Sequence, residues 1–245
     1  MPVVMNKKVG ETPLACLDRL RLEKPELAGE PMTYAGRLDP MADGLLLVLV
    51  GEECKHREDF LGLDKEYITE ILWGVATDTY DILGKIIDQK TVQEFKIPDL
   101  QKFVGKHQQK FPPYSSKPVN GKPLHEWARE DRLAEIEIPS KEIEIKSIEL
   151  LETRQVPVNE IATEITQRLF LIKGDFRQNE IKGLWNEYFG STATLGSNLT
   201  ISKLSIRCST GTYIRGLVQE LGQATGFGAT VLSLRRTKVG DYNLI

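Results

Sequence analysis

The chain of 245 residues has only three cysteines and three histidines. Cys16, Cys54 and Cys208 lie far apart, and neither they nor His56, His107 and His125 fall into a metal-ligand spacing, so a zinc site or a disulfide scaffold is not expected. The cysteines read instead as small, buried or half-buried thiols. Long apolar runs are also missing. The longest, Leu45 to Val50, is too short to cross a bilayer. The first eight residues have neither an apolar signal-peptide core nor a small-residue cleavage site, so a cytoplasmic location is expected. No Gly/Ser linker, repeat or low-complexity segment divides the chain, which favours one domain over residues 1–245. There is no basic excess: 32 Lys and Arg against 35 Asp and Glu leave a net charge of −3, which argues mildly against a phosphate-binding surface.

Local charge differs from the average. Gln101 to Pro123 contains Lys102, Lys106, Lys110, Lys117 and Lys122, no acidic residue, and interleaved Phe103, Phe111 and Tyr114. A cationic strip with stacking rings suits looped RNA, although the same composition also describes a solvated lysine-rich loop.

The pattern of the rest is mixed. Strands are expected at Pro2–Asn6, Leu45–Val50, Tyr67–Gly74, Lys141–Leu151, Leu199–Cys208 and, last, Thr230–Leu234. Ile86 and Ile87 are expected to pair with the Tyr67–Gly74 strand across the Thr77–Gly84 turn. Helices are expected over about Leu14–Leu22, from Pro98 to Val104, and over Val158–Lys173, Gln178–Phe189 and Thr212–Thr225, the last closed by Gly226. Loops are expected at Glu23–Gly36 and Gly190–Asn198. Ile161, Ile165, Leu169 and Ile172 form one helical face, expected to dock on the body of the domain or on Leu184 and Trp185 of the next helix. Strands and helices without βαβ alternation indicate an α+β fold on a mixed, largely antiparallel sheet flanked by helices and loops.

The chemistry concentrates in Tyr34-Ala-Gly-Arg-Leu-Asp-Pro-Met-Ala-Asp-Gly-Leu-Leu46, where Gly36 and Pro40 hold Asp39 in a loop just before a buried strand. Taken alone, Asp39 reads first as a carboxylate hydrogen-bonding its own turn. Other blocks follow in order: Asp64-Lys-Glu-Tyr67, Thr77-Asp-Thr-Tyr-Asp-Ile-Leu-Gly84, Gln109 to Arg129, Cys208-Ser-Thr-Gly-Thr-Tyr-Ile-Arg215 and Gly226 to Arg236.

These blocks, in this order, resemble the TruB family of tRNA pseudouridine synthases. The resemblance implies a pseudouridine synthase-like fold and isomerisation of a uridine in the T-loop of tRNA, position 55. No cofactor or metal is implied, because the C1′–N1 bond breaks and a C1′–C5 bond forms with no net redox change. A carboxylate beside the sugar suits that chemistry, since it stabilises or traps electron-poor carbon as carboxylates do in glycosidases. Asp39 takes that part by resemblance. Arg215 would hold it ionised through a bidentate guanidinium contact, and Tyr67 would stack on the flipped uracil and serve in removing the C5 proton. Substrate binding falls by the same resemblance to Tyr34, Gly36, Arg37, Lys65, Lys110, Tyr114, Lys117, Lys122, Tyr213 and Leu232.

Residues 101–132 correspond to an RNA-gripping thumb. The tRNA T-stem-loop is the partner implied, with no guide RNA, membrane or obligate protein partner. Tyr34 stands where many relatives carry His. A PUA domain, usual after the Arg235-Arg236 block, is not expected in this chain. Residues 152–196 read as a helical insertion whose hinge, Lys173 to Arg177, reaches toward RNA with Lys182 beside it. Two alternatives stand beside this reading. One is an rRNA pseudouridine synthase of the RluA or RsuA type, whose loops also contain the Gly-Arg-Leu-Asp seen at Gly36–Asp39. The other is an RNA-folding chaperone with secondary catalysis.

Overall fold

The computed structural model describes residues 1–191 and 197–244. Its strands are β1 (Val3–Lys7), β2 (Met32–Ala35), β3 (Ala42–Val50), β4 (Lys65–Trp73), β5 (Val75–Thr77), β6 (Ile86–Gln89), β7 (Gly105–Lys110), β8 (Pro118–Val119), β9 (Lys122–Pro123), β10 (Ser140–Pro157), β11 (Asn198–Cys208), β12 (Ala229–Val239) and β13 (Tyr242–Asn243). Its helices are α1 (Pro13–Glu23), α2 (Arg57–Leu61), α3 (Leu124–Arg129), α4 (Val158–Leu171), α5 (Gln178–Gly190) and α6 (Ile214–Thr225).

One sheet runs β1-β3-β12-β4-β11-β10-β7, with β2 added to β3 and β13 to β12. All of its pairings are antiparallel except β3 with β12, so the expected α+β class with a mixed, largely antiparallel sheet holds. The continuous apolar run of β3 has a simple cause: it is covered on both faces. Leu46 and Val48 pack against α1 through Cys16, Leu17 and Leu20, while Leu45, Leu47 and Leu49 pack with Val239. Among the described residues no helix is long and apolar enough to span a membrane. Cys16 and Cys208 are buried and Cys54 is half-buried. Burial pushes the first two thiols up to about 11.

Local signals set the helix ends. Thr12 caps α1 by accepting from Ala15 N at 3.0 Å, with Pro13 at the first helical position. Gly226 stops α6 in the left-handed region. The expected apolar face of α4 is buried as one cluster with Ile181, Trp185, Tyr188 and Phe189 of α5 and with Leu72 and Ile201 of the sheet. Leu184 remains only half-buried, because the seam of α5 runs through Ile181, Trp185 and Tyr188 at spacings of four and three.

Several expectations are corrected. The Glu23–Gly36 loop contains β2, whose short alternating run is stabilised only by pairing with β3. Ile86 pairs with Thr77 of β5 and not with β4, since the chain bends at Gly74, where φ is +90°. Pro98–Val104 contributes only a 3-10 turn, Leu100–Phe103. Part of the lysine-rich stretch is β7, the edge strand beside β10, so the stretch expected as a thumb is partly built into the main sheet. Residues 152–157 continue β10 and do not belong to the helical pair. The strand ending at Leu234 runs on to Val239, and β13 follows it. Of the Gly190–Asn198 loop, 192–196 lie outside the described residues.

Candidate active site

Asp39 stands in the loop between β2 and β3, and that loop is held from three sides. Gly10 N donates to Pro40 O at 2.9 Å, and Ala42 N closes the turn on Asp39 O at 3.1 Å. Arg236 Nη2 reaches Gly36 O at 3.0 Å. Gly36 itself has φ +84°, a conformation open to glycine at little cost. Behind the loop Lys7 is fully buried and donates to Ala42 O at 2.6 Å; burial lowers its pKa to about 8.

Arg215, the second residue of α6, closes on this loop from 176 positions away, its Nε donating to Asp39 Oδ2 at 2.7 Å. The two partners differ in exposure: the Arg215 side chain is 4% exposed and that of Asp39 30%. The cation is therefore sealed in, and part of the anion faces the cleft. A cation at a helix start is opposed by the helix dipole, and here carboxylates compensate it. Burial disfavours the guanidinium charge, yet Asp39 and Asp81 hold its pKa above the ordinary range.

The expected bidentate fork on Asp39 is not formed. Nη1 donates instead to Thr79 O at 2.6 Å and Nη2 to Tyr114 O at 3.4 Å. The guanidinium is shared among three segments, because the Thr77–Gly84 turn and the segment at Tyr114 present carbonyls where a second carboxylate oxygen would sit.

Asp81, a member of the Thr77–Gly84 block to which the sequence assigns no role, lies 3.8 Å from Arg215 Nε. Its Oδ1 accepts from Thr79 Oγ1 at 2.7 Å and Leu83 N at 3.0 Å. Burial raises its pKa from 3.8 to about 6, against the pull of Arg215 and Thr79. The folded pKa lies above the unfolded one, so between about pH 4 and 6 the native state keeps a proton that the unfolded chain has released, and stability falls as pH rises. Subtracting the unfolding free energy of Asp81→Asn from that of the unmodified protein is expected to give a difference that falls by on the order of 2 kcal/mol from pH 4 to pH 7. Denaturant melts across that range measure it; a pH-independent difference would show that Asp81 titrates as it does in water.

The remaining cleft, about 570 Å³, gathers Tyr34, Gly36, Arg37, Lys65, Tyr67, Tyr114 and Tyr213 around Asp39. Tyr67 projects from β4 with the buried Arg236 beside its hydroxyl, and burial raises its pKa. Arg236, missed as a site residue although its block was recognised, also donates to Leu45 O at 2.7 Å and so backs both the Asp39 loop and Tyr67. Lys65 supports the wall: its Nζ donates to Leu61 O at 2.7 Å and to Leu63 O, and burial lowers its pKa to about 8. Arg37 and Tyr34 touch at the mouth, 3.5 Å apart. Gln109 of β7 fixes Tyr213 by accepting from its N at 2.8 Å and donating to its O at 3.0 Å.

Four of the expected residues do not line the cleft. Lys110 is exposed at the end of β7, and Lys117 lies over Phe111 at 5.3 Å. Lys122 lies over Trp127 at 4.1 Å and pairs with Glu130 at 2.5 Å. Leu232 is a correction of a different kind, since it is 1% exposed in the core beneath α4 and α5. A register shift between Val231 and Ser233 returns Leu234 to the face of Val231 and leaves Leu232 on the opposite one. Leu234 lines the cleft instead. Arg177 and Phe176 of the α4–α5 hinge also line it, whereas Lys182 points away, over Phe170 at 5.8 Å.

Solved structures share this architecture. A Cbf5-Nop10-Gar1 complex matches 99% of the chain with a TM-score of 0.57 at 19% identity, and an archaeal box H/ACA sRNP Nop10-Cbf5 complex matches it with a TM-score of 0.53 at 19% identity. The chain spans about half the length of those chains, and the likeness shows the fold. Residues 25–168 match the family described as TruB family pseudouridylate synthase (N terminal domain). The tRNA pseudouridine synthase B of Fusobacterium nucleatum is 32% identical over 99% of this chain and 68% of its own length; that of Lactobacillus gasseri is 33% identical over 99% and 69%. The chain belongs to the TruB family.

Proposed function

We propose that the chain isomerises a uridine in the T-loop of tRNA, position 55, to pseudouridine, with Asp39 as the catalytic carboxylate. The observation that carries this is the asymmetric ion pair: Arg215 is sealed beneath the cleft while the carboxylate it holds faces into it. A cleft of about 570 Å³ suits one nucleotide and not a duplex, so the target base leaves its stack to enter. There the Asp39 anion stabilises the positive charge that develops at C1′ as the bond to N1 breaks. Tyr67 supplies the ring against which the freed uracil turns and re-adds through C5, and its hydroxyl helps remove the C5 proton. Tyr34, Arg37, Tyr114 and Tyr213 grip the loop around it. The relatives' shared name, tRNA pseudouridine synthase B, supports tRNA as the substrate. The test is chemical mapping of pseudouridine in full-length tRNA and in an isolated T-stem-loop after incubation with the purified protein. Product at one T-loop uridine in both is expected, and no product at that uridine in either would overturn the reading.

The lysine strip leads to a second expected result. Among the described residues neither Lys110 nor Lys117 is in an ion pair, whereas Lys122 is held by Glu130. Replacing Lys110 and Lys117 with Gln is expected to flatten the slope of log affinity against log salt by about two contacts, roughly 0.7–0.9 each. Lys122→Gln alone is expected to change it by much less. Titrations of tRNA binding over a salt series check this, and an unchanged slope in the double variant would return the strip to a solvated surface.

A further inference from the structure

The hinge between α4 and α5 reaches the cleft through Phe176 and Arg177. Arg177 adopts the left-handed region, with φ 61° and ψ 24°, at the start of α5, where the conformation suits glycine or asparagine better than a long side chain. That backbone turns its guanidinium back onto the Thr77–Gly84 turn. Nη1 donates to Asp78 Oδ2 at 2.8 Å and Nη2 to Asp78 Oδ1 at 3.3 Å, while the guanidinium lies over the Tyr114 ring at 4.4 Å. Asp78 is itself anchored, its Oδ1 accepting from Lys85 N at 2.8 Å. A second tie crosses at the same place: Arg129 of α3 donates to Asp175 O and lies 3.6 Å from the Asp175 carboxylate.

The two partners of Arg177 are the two segments that seat Arg215. Thr79, next to Asp78, supplies the carbonyl for Nη1, and Tyr114 supplies the carbonyl for Nη2. We propose that Arg177 is a positioning residue for catalysis, acting through Asp78 and Tyr114 on Arg215 and hence on the orientation of Asp39. The α4–α5 hinge is then part of the active site. Pairing with Asp78 consumes the charge that a phosphate would need, so Arg177 acts on the protein and not as an RNA ligand. A backbone outlier kept beside a reactive centre is consistent with such use. The inference rests on the reading of Asp39 as the catalytic carboxylate.

The test compares Arg177→Met, Arg177→Lys, Asp78→Asn and the Arg177→Met/Asp78→Asn pair in the whole chain. Four quantities are read: single-turnover pseudouridine formation, tRNA affinity, Tm, and hydrogen exchange of the Arg215 Nε–H by nitrogen-15 NMR, assigned with Arg215→Lys. Arg177→Met is expected to slow the single turnover about ten-fold or more with affinity within about three-fold. It is also expected to speed exchange at Arg215 by about ten-fold, as a loosened seat requires. Arg177→Lys, which keeps the charge but not the planar stack, restores part of the rate, and the double variant is no slower than Arg177→Met because both changes break one link. Unchanged turnover with unchanged exchange overturns the proposal. So does weakened tRNA binding at an unchanged single-turnover rate, which would make Arg177 an RNA contact. A rate loss that follows Tm, with no recovery in Arg177→Lys, would make its role structural and also overturns it. If the unmodified protein forms no pseudouridine, the functional reading fails on its own, and the exchange of Arg215 still decides whether Arg177 positions it.

Discussion

Asp39→Asn is expected to reduce single-turnover pseudouridine formation by more than about 1000-fold, the scale of loss when a reacting group is removed from an otherwise intact site. The substitution keeps the size of the side chain and leaves an oxygen to accept from Arg215 Nε, which now donates at 2.7 Å. What disappears is the negative charge on the more exposed member of the pair. The loop should hold its place, because its anchors are the Gly10, Lys7 and Arg236 contacts to backbone carbonyls and not the carboxylate. Affinity for tRNA is accordingly expected to stay within about ten-fold, since phosphate contacts carry most of the binding to nucleic acid and Asp39 makes none. Chemical mapping of the product together with a filter-binding titration reads both quantities. Formation at a tenth of the normal rate would remove Asp39 from the chemistry.

The second large effect belongs to Arg215→Lys. One guanidinium here serves the Asp39 carboxylate, the Thr79 carbonyl and the Tyr114 carbonyl, with Asp81 3.8 Å away. An ammonium on a shorter, unforked stem reaches one of these acceptors at a time, and each buried carbonyl left unpaired costs about 1–3 kcal/mol. Turnover is expected to fall by about 100-fold or more, since Asp39 is no longer held at one angle to the ribose. Tm should drop by several degrees in the same variant. Arg215→Met should be worse in both respects, because two carboxylates then share a half-dry site with no counter-charge. Rapid-quench kinetics and thermal melts measure the two effects separately. Near-normal rates in Arg215→Lys would mean that the pair is only a structural staple.

Signals carried by neighbouring residues are legible in the sequence itself. The apolar run of β3, the period of α4 and α5, the Gly226 stop of α6 and the glycine- and proline-bound loop around Asp39 all come from interactions within a few residues. Periodicity and capping record such interactions directly. The order of the motif blocks carried the family, and with it the expectation that Asp39, Tyr67 and Arg215 form the site.

Everything that depends on which distant segments meet was decided by the tertiary structure. β7 has little apolar character of its own and becomes a strand because β10 offers a free edge. A single register shift in β12 sends Leu232 into the core and Leu234 into the cleft, an outcome that alternation alone assigns to neither. Asp81 has an ordinary local sequence, and only its burial, acting against the pull of Arg215, raises its pKa to about 6. The guanidinium of Arg215 divides its bonds among three segments because the segment at Tyr114 and the Thr77–Gly84 turn converge on it, a geometry with no trace in residue spacing. The composition of the chain determined which groups were present to do chemistry. Register and burial, which are non-local, determined which of them share a charge, which face water and which are locked in the core.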